Sequence, residues 1–173
     1  MAARAPVAIR NNNPGNLRFV PRVQWQGQTG AGDLGFARFA TPAHGFRAAA
    51  RQILTYADRD GLRTVRAIIT RWAPPKGQAN GVAYTQNTDG YVAAVAARLR
   101  VLADDPINVR DPVVMRGLLV AIAEHEAGLR WPFAGHGWSD AMLDDGLRMA
   151  GLASAAARGV GRGLENTGKA AGS

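Results

Sequence analysis

The sequence predicts a mainly α-helical domain of the α+β class, with a short β-hairpin near its N-terminus. Three observations carry this reading. Several stretches repeat apolar residues at helical spacing between capping residues. Strand character is confined to the region 17–39. The chain has 173 residues, 47% of them hydrophobic, which is enough for one domain with a real core.

Residues 1–9 read as a loose lead-in, and residues 10–152 as the single domain. The domain opens with Arg10-Asn11-Asn12-Asn13-Pro14-Gly15-Asn16-Leu17-Arg18. Asn-Pro-Gly is a strong turn signal, because Pro presets φ and Gly accepts positive φ. The four asparagines can either fix this loop through its own backbone or face a ligand. Leu17–Gln26 and Leu34–Phe39 have strand character and are joined by a glycine-rich link, so a short, irregular hairpin is expected. Trp25 and Gln28 flank its tip in this reading.

Thr41-Pro42 opens a helix, as N-cap and first helical residue, and Asp60-Gly61 ends it. Thr64 caps a shorter helix that Pro74-Pro75 stops. Residues 76–87 are polar and read as a surface loop. Thr88-Asp89 caps a helix that runs through Leu99, with Tyr91, Val92 and Val95 facing inward. A linker leads to Asp111–Gly128. Ser139 caps a last helix through about Leu152. The tail from Ala153 to Ser173 is poor in bulky residues and reads as mobile or as an attachment segment.

The net charge is +8, from 19 Arg and 2 Lys against 13 acids. The charge predicts attraction to polyanions such as nucleic acid, anionic lipid or acidic wall polymers. The arginines are scattered, and no basic helix with interleaved aromatics or DNA-binding motif appears, so specific nucleic-acid recognition is not expected. There is no cysteine, hence no disulfide framework. No signal peptide or transmembrane stretch is legible; synthesis in the cytoplasm is expected, with any action outside requiring delivery or release. His44, His125 and His136 lack HExxH or comparable spacing, so neither a metal site nor any other cofactor is expected.

Asp111–Gly128 organises the chain. Asp111 is an N-cap, Pro112 takes the first helical position, and Gly128 supplies the stop. Met115, Leu118, Leu119, Ile122 and Glu126 share one face, whereas Glu124 lies nearly opposite and reads as solvated. Glu126 thus sits on an apolar stripe in the last helical turn. Desolvation and the negative end of the helix dipole both favour its protonated form, which a general acid requires. The bland alternative is a glutamate that snorkels outward or pairs with an arginine.

The order NNPGNLRF, WQGQTG, LGFARFATPAHGF, TVRAIITRWAPP, NTDGYVAAVAARL resembles the cell-wall glucosaminidases and lytic transglycosylases of the lysozyme-like superfamily. In that family the catalytic helix, ending in a Glu-Ser-Gly-like motif, precedes the Asn-rich segment. Here Glu126-Ala127-Gly128 resembles that motif from the other end of the chain, with Ala127 in place of the Ser. The resemblance spans about Arg10–Gly128 and implies a circularly permuted lysozyme-like domain, a layout shared with small phage virion or lysis proteins.

What the resemblance implies is cleavage of the β-1,4 glycan of peptidoglycan, with Glu126 as general acid and then base. Asp33 is the best-placed second carboxylate, ahead of Asp89, Asp104 and Asp105; a lytic transglycosylase would need none. Asn16, Gln28, Tyr84 and Tyr91 are candidates for orienting sugar or N-acetyl groups. The partners expected are peptidoglycan and other virion proteins. A murein endopeptidase on the same fold, or a non-catalytic basic virion protein, are the competing readings.

Overall fold

A computed structural model gives the structure of residues 2–79 and 81–152. In chain order its elements are α1 (Val7–Arg10), β1 (Gln28–Ala31), a 3-10 turn (Asp33–Gly35), β2 (Ala37–Phe39), α2 (Pro42–Asp60), α3 (Val65–Trp72), β3 (Lys76–Ala79), β4 (Val82–Thr85), α4 (Thr88–Leu99), α5 (Pro112–Ala127) and α6 (Asp140–Met149). The fold is α+β, with two antiparallel hairpins among the described residues where the sequence predicts one. The tail from Ala153, read as mobile, lies outside the described residues.

Helix α5 is the centre of the core. Met115, Leu118, Leu119 and Ile122 are at most 1% exposed. Removing side chains of this size from water contributes about 1.5–3 kcal/mol each. Asp111 accepts a bond from the Val113 amide at 2.8 Å, and Gly128 ends the helix in the left-handed region at φ 65°. Helix α4 packs along α5, and α2 and α6 pack together beside them. Glu124 departs from the expectation of a solvated face. Its side chain is only 18% exposed, with Arg98 at 3.5 Å and the Trp131 amide donating to it at 3.1 Å. Helical spacing shows which way Glu124 points, but not that the segment after Gly128 folds back over it.

That segment is an aromatic plug. Phe46 of α2 meets Trp131 and Trp138 edge-on at 5.5 and 5.6 Å, and Phe133 tilts against Trp138 at 5.3 Å. The Trp131 indole donates to Asp140 at 2.8 Å, which pins the plug to the start of α6. Thus the last helix is seated without a side-chain bond from Ser139, and it ends at Met149 rather than Leu152.

Four local readings are corrected. Residues 7–9 are not a loose lead-in: Val7–Arg10 forms a helical turn, Ala8 is fully buried, and Ile9 packs on the core. Leu17–Gln26 is not a strand. Pro21 has no amide to donate, and only Arg18 bridges to Phe36, so the segment runs as an arm beside the hairpin. The hairpin itself is β1–β2, with an irregular register between Gln28 and Gly30 and its turn at the Asp33–Gly35 3-10 segment. Residues 76–87 are not a bare loop, since β3 and β4 pair from Lys76↔Thr85 to Ala79↔Val82. Asn-Gly is a hairpin dipeptide, and Gly81 adopts φ 77°. Finally, Asn87 rather than Thr88 caps α4, accepting from the Gly90 amide at 2.9 Å; Thr88 is buried and donates to the Ala73 carbonyl at 2.6 Å.

Candidate active site

Three of the four asparagines build the loop rather than face a ligand. Asn11 brackets Asp33, accepting from its amide at 3.0 Å and donating to its carbonyl at 3.1 Å. Asn12 donates to the Phe39 carbonyl at 3.0 Å. Asn13 accepts from the Leu17 amide at 2.9 Å and donates to the Ala37 carbonyl at 2.8 Å. Asn11 and Asn13 are fully buried, so each bond replaces one otherwise made to water. Helix α2 approaches this loop at Gly45, where a Cβ would fall 2.1 Å from the Asn12 carbonyl oxygen.

Asn16 is the exception. It adopts φ 46°, a left-handed conformation that asparagine tolerates better than most residues. Its amide nitrogen donates to Glu126 Oε2 at 3.0 Å. Its side-chain oxygen is buried without a hydrogen-bond partner. The other Glu126 oxygen, Oε1, accepts from the Tyr91 hydroxyl at 3.0 Å. Tyr91 is 1% exposed and stacks at 3.6 Å on His125, the residue before Glu126.

Burial pushes the Glu126 carboxyl above its ordinary value. The bonds from Asn16 and Tyr91, and the charge of Arg18, pull it back part of the way. Burial likewise drives the Tyr91 hydroxyl well above its usual range, with the Glu126 charge adding to the effect. Tyr91 therefore stays a neutral donor.

Glu126 lies at a cleft of about 390 Å³. Trp25, Tyr56, Trp72 and Tyr84 bring aromatic surface to it, and Gln52 and Gln86 bring amides. Tyr56 and Trp72 stand edge to face at 6.5 Å. Aromatic faces with interspersed amides suit a sugar, whose ring has an apolar face and a hydroxylated rim.

Among the predicted site residues, Glu126, Asn16 and Tyr84 line this cleft. Tyr91 does not line it, so it holds Glu126 rather than a sugar. Gln28 is also outside the lining; it pairs with Phe39 at the start of β1, and its amide atoms are buried without partners. Asp33 is outside as well. Arg10 at 2.7 Å, Arg4 at 3.0 Å and Arg38 at 3.1 Å surround its carboxylate, and the Arg10 bond foremost holds it below the ordinary carboxylate range. Asp33 is thus a structural anion tying the hairpin to α1. Of the histidines, His44 meets the Thr41 hydroxyl at 2.8 Å and His125 stacks on Tyr91. Among the described residues no group of His, Asp and Glu clusters as metal ligands would.

Sequence reasoning did not single out Arg18, Gln52, Tyr56 or Trp72 for the site. One signal was present: Gln52 and Tyr56 are spaced i, i+4 and share a face of α2. Trp72 reads as core from its helical spacing and is half-buried at the cleft wall.

Fold and site together define an α+β domain built around one partly buried glutamate, held by a tyrosine and an asparagine beside an aromatic cleft. No family model matches the chain. Over 139 residues it is 31% identical to Protein P5 of Pseudoalteromonas phage PM2, an alignment covering 73% of this chain and 82% of that protein. The chain belongs to the family of that phage protein, which associates it with bacteriophage. Among the described residues no helix is long and apolar enough to cross a membrane.

Proposed function

We propose that this protein cleaves the β-1,4 glycan of peptidoglycan as a lytic transglycosylase, on a circularly permuted lysozyme-like domain carried or released by a phage. The observation that carries the reading is Glu126. Its carboxyl is partly buried, shifted toward the protonated form, and is the sole acid among the described residues lining an aromatic, amide-rich cleft. Such a group is suited to general acid catalysis near neutral pH.

Glu126 gives its proton to the bridging oxygen as the C1–O bond breaks. The substrate's own N-acetyl oxygen closes on C1 and takes up the developing positive charge. The Glu126 carboxylate then removes the proton from the 6-hydroxyl, and that oxygen displaces the acetamido oxygen from C1. The products are one chain end bearing a hydroxyl and one bearing a 1,6-anhydro sugar. The displacement of Asp33 into an arginine cluster favours this route over a two-carboxylate hydrolysis. The resemblance of Glu126-Ala127-Gly128 to the family motif supports it further.

The test is digestion of purified peptidoglycan by wild type and Glu126→Gln, with the soluble products weighed by mass spectrometry. Anhydro-muropeptides, absent with the variant, are the expected result. Hydrated muropeptides would make the protein a hydrolase. Free peptides would make it an endopeptidase, and no products from the folded wild type would leave a structural virion role.

A further inference from the structure

Arg18 is the other charged residue among those lining the cleft. Its guanidinium lies 4.5 Å from the centre of the Phe36 ring, and one of its nitrogens donates to the Leu34 carbonyl at 3.4 Å. Stacking and the carbonyl bond hold the planar fork without neutralising it. Among the described residues no carboxylate forms an ion pair with Arg18, whereas Asp33, the acid beside Leu34, is shared by three other arginines. The Arg18 charge reaches the Glu126 carboxyl, so the cation belongs to the space in which the bond is cut. A cation held in place, exposed and unpaired beside a cleft is arranged to receive an anion.

We propose that Arg18 is a specificity-determining residue that recognises a carboxylate carried by the glycan next to the scissile bond. This rests on the reading of Glu126 as the glycan-cleaving acid. The chemistry selects strands whose lactyl carboxylates are free, as after removal of the stem peptides, over strands of the same backbone in which those groups are amides. An Arg–carboxylate contact accepts two parallel bonds, which a lysine matches in charge but not in geometry.

The experiment uses the full chain and two probes: glycan strands stripped of peptides, with free lactyl carboxylates, and the same strands with those carboxylates converted to methylamides. Wild type is expected to show kcat/KM about tenfold or more higher on the acidic strands, the range of a hydrogen bond to a charged group. That preference should fall as salt rises. Arg18→Gln should lose most of the ratio, and Arg18→Lys should keep part of it. Equal thermal midpoints for the variants and wild type would show that the fold is intact, while the ratio reports the contact independently of protein stability. An unchanged ratio in Arg18→Gln, with cleavage still dependent on Glu126, would overturn the role of Arg18 and leave the glycan-cleaving reading standing. Failure of wild type to cut either strand would overturn both.

Discussion

The Asn16 amide and the Glu126 carboxylate meet at 3.0 Å although they are 110 positions apart in the chain. The Tyr91 hydroxyl approaches the same carboxylate from α4, also at 3.0 Å. A turn, a helix end and a helix start therefore converge on one acid. Each donor fixes one oxygen, and burial sets the affinity for the proton.

Removing Tyr91's hydroxyl tests that arrangement. Tyr91→Phe keeps the ring in the core and deletes the bond to Oε1. That bond favours the carboxylate, so the Glu126 pKa should rise further. The alkaline limb of the pH–rate profile should move to higher pH, and kcat should fall about ten- to a hundredfold, as for loss of a charge-assisted bond. An unmoved limb would remove Tyr91 from the site. Asn16→Ala should shift the limb in the same direction.

Glu126→Gln should lower activity by about 10²–10⁴-fold. It should also raise stability above neutral pH. Because the folded pKa of Glu126 is raised, its stabilising protonation is complete below the unfolded value and is lost as pH rises through the folded value. Thermal midpoints of the two proteins should diverge in favour of the variant from acid toward pH 8.

Asp33→Asn should leave cleavage per folded molecule unchanged, because Asp33 lies outside the cleft lining. Its folded pKa is lowered by Arg10, so its stabilisation is present above the ordinary carboxylate range and is lost as pH falls through the folded value. The variant's thermal midpoint should therefore trail wild type at pH 7 and draw level in acid. A loss of kcat without a change of midpoint would restore Asp33 as a second catalytic acid.

Gly45→Ala places a Cβ 2.1 Å from a backbone oxygen of Asn12. The next atom is the Pro14 ring Cδ at 2.6 Å; neither is the end of a flexible side chain, so a loss of about 1–3 kcal/mol is expected in urea unfolding. Because the same loop carries Asn16, activity should fall with stability.

Helix α5 was legible in detail, from Asp111 through the buried stripe to Gly128, because caps and helical periodicity are written in neighbouring residues. The same local signals placed α2 and α3. They also put Glu126 on an apolar face, which by itself makes it a candidate for a raised pKa. What neighbouring residues do not encode is which distant groups meet. Asp33 is expected as a second acid and Asn16 as a sugar contact, yet three arginines surround the one and Glu126 binds the other. Tyr91 looked like a sugar contact, but the packing of α4 on α5 turned its hydroxyl to the carboxylate. The cleft wall around Tyr84, Tyr56 and Trp72 likewise depends on chain segments brought together from afar, whereas the second hairpin is local, its strands separated by two residues. Periodicity and capping act within a turn or two of the chain, so the long helices and the candidacy of Glu126 were determined by the sequence alone. Hydrogen-bond partners, ion-pair choice and burial are decided by which surfaces pack, and only the tertiary structure settled those.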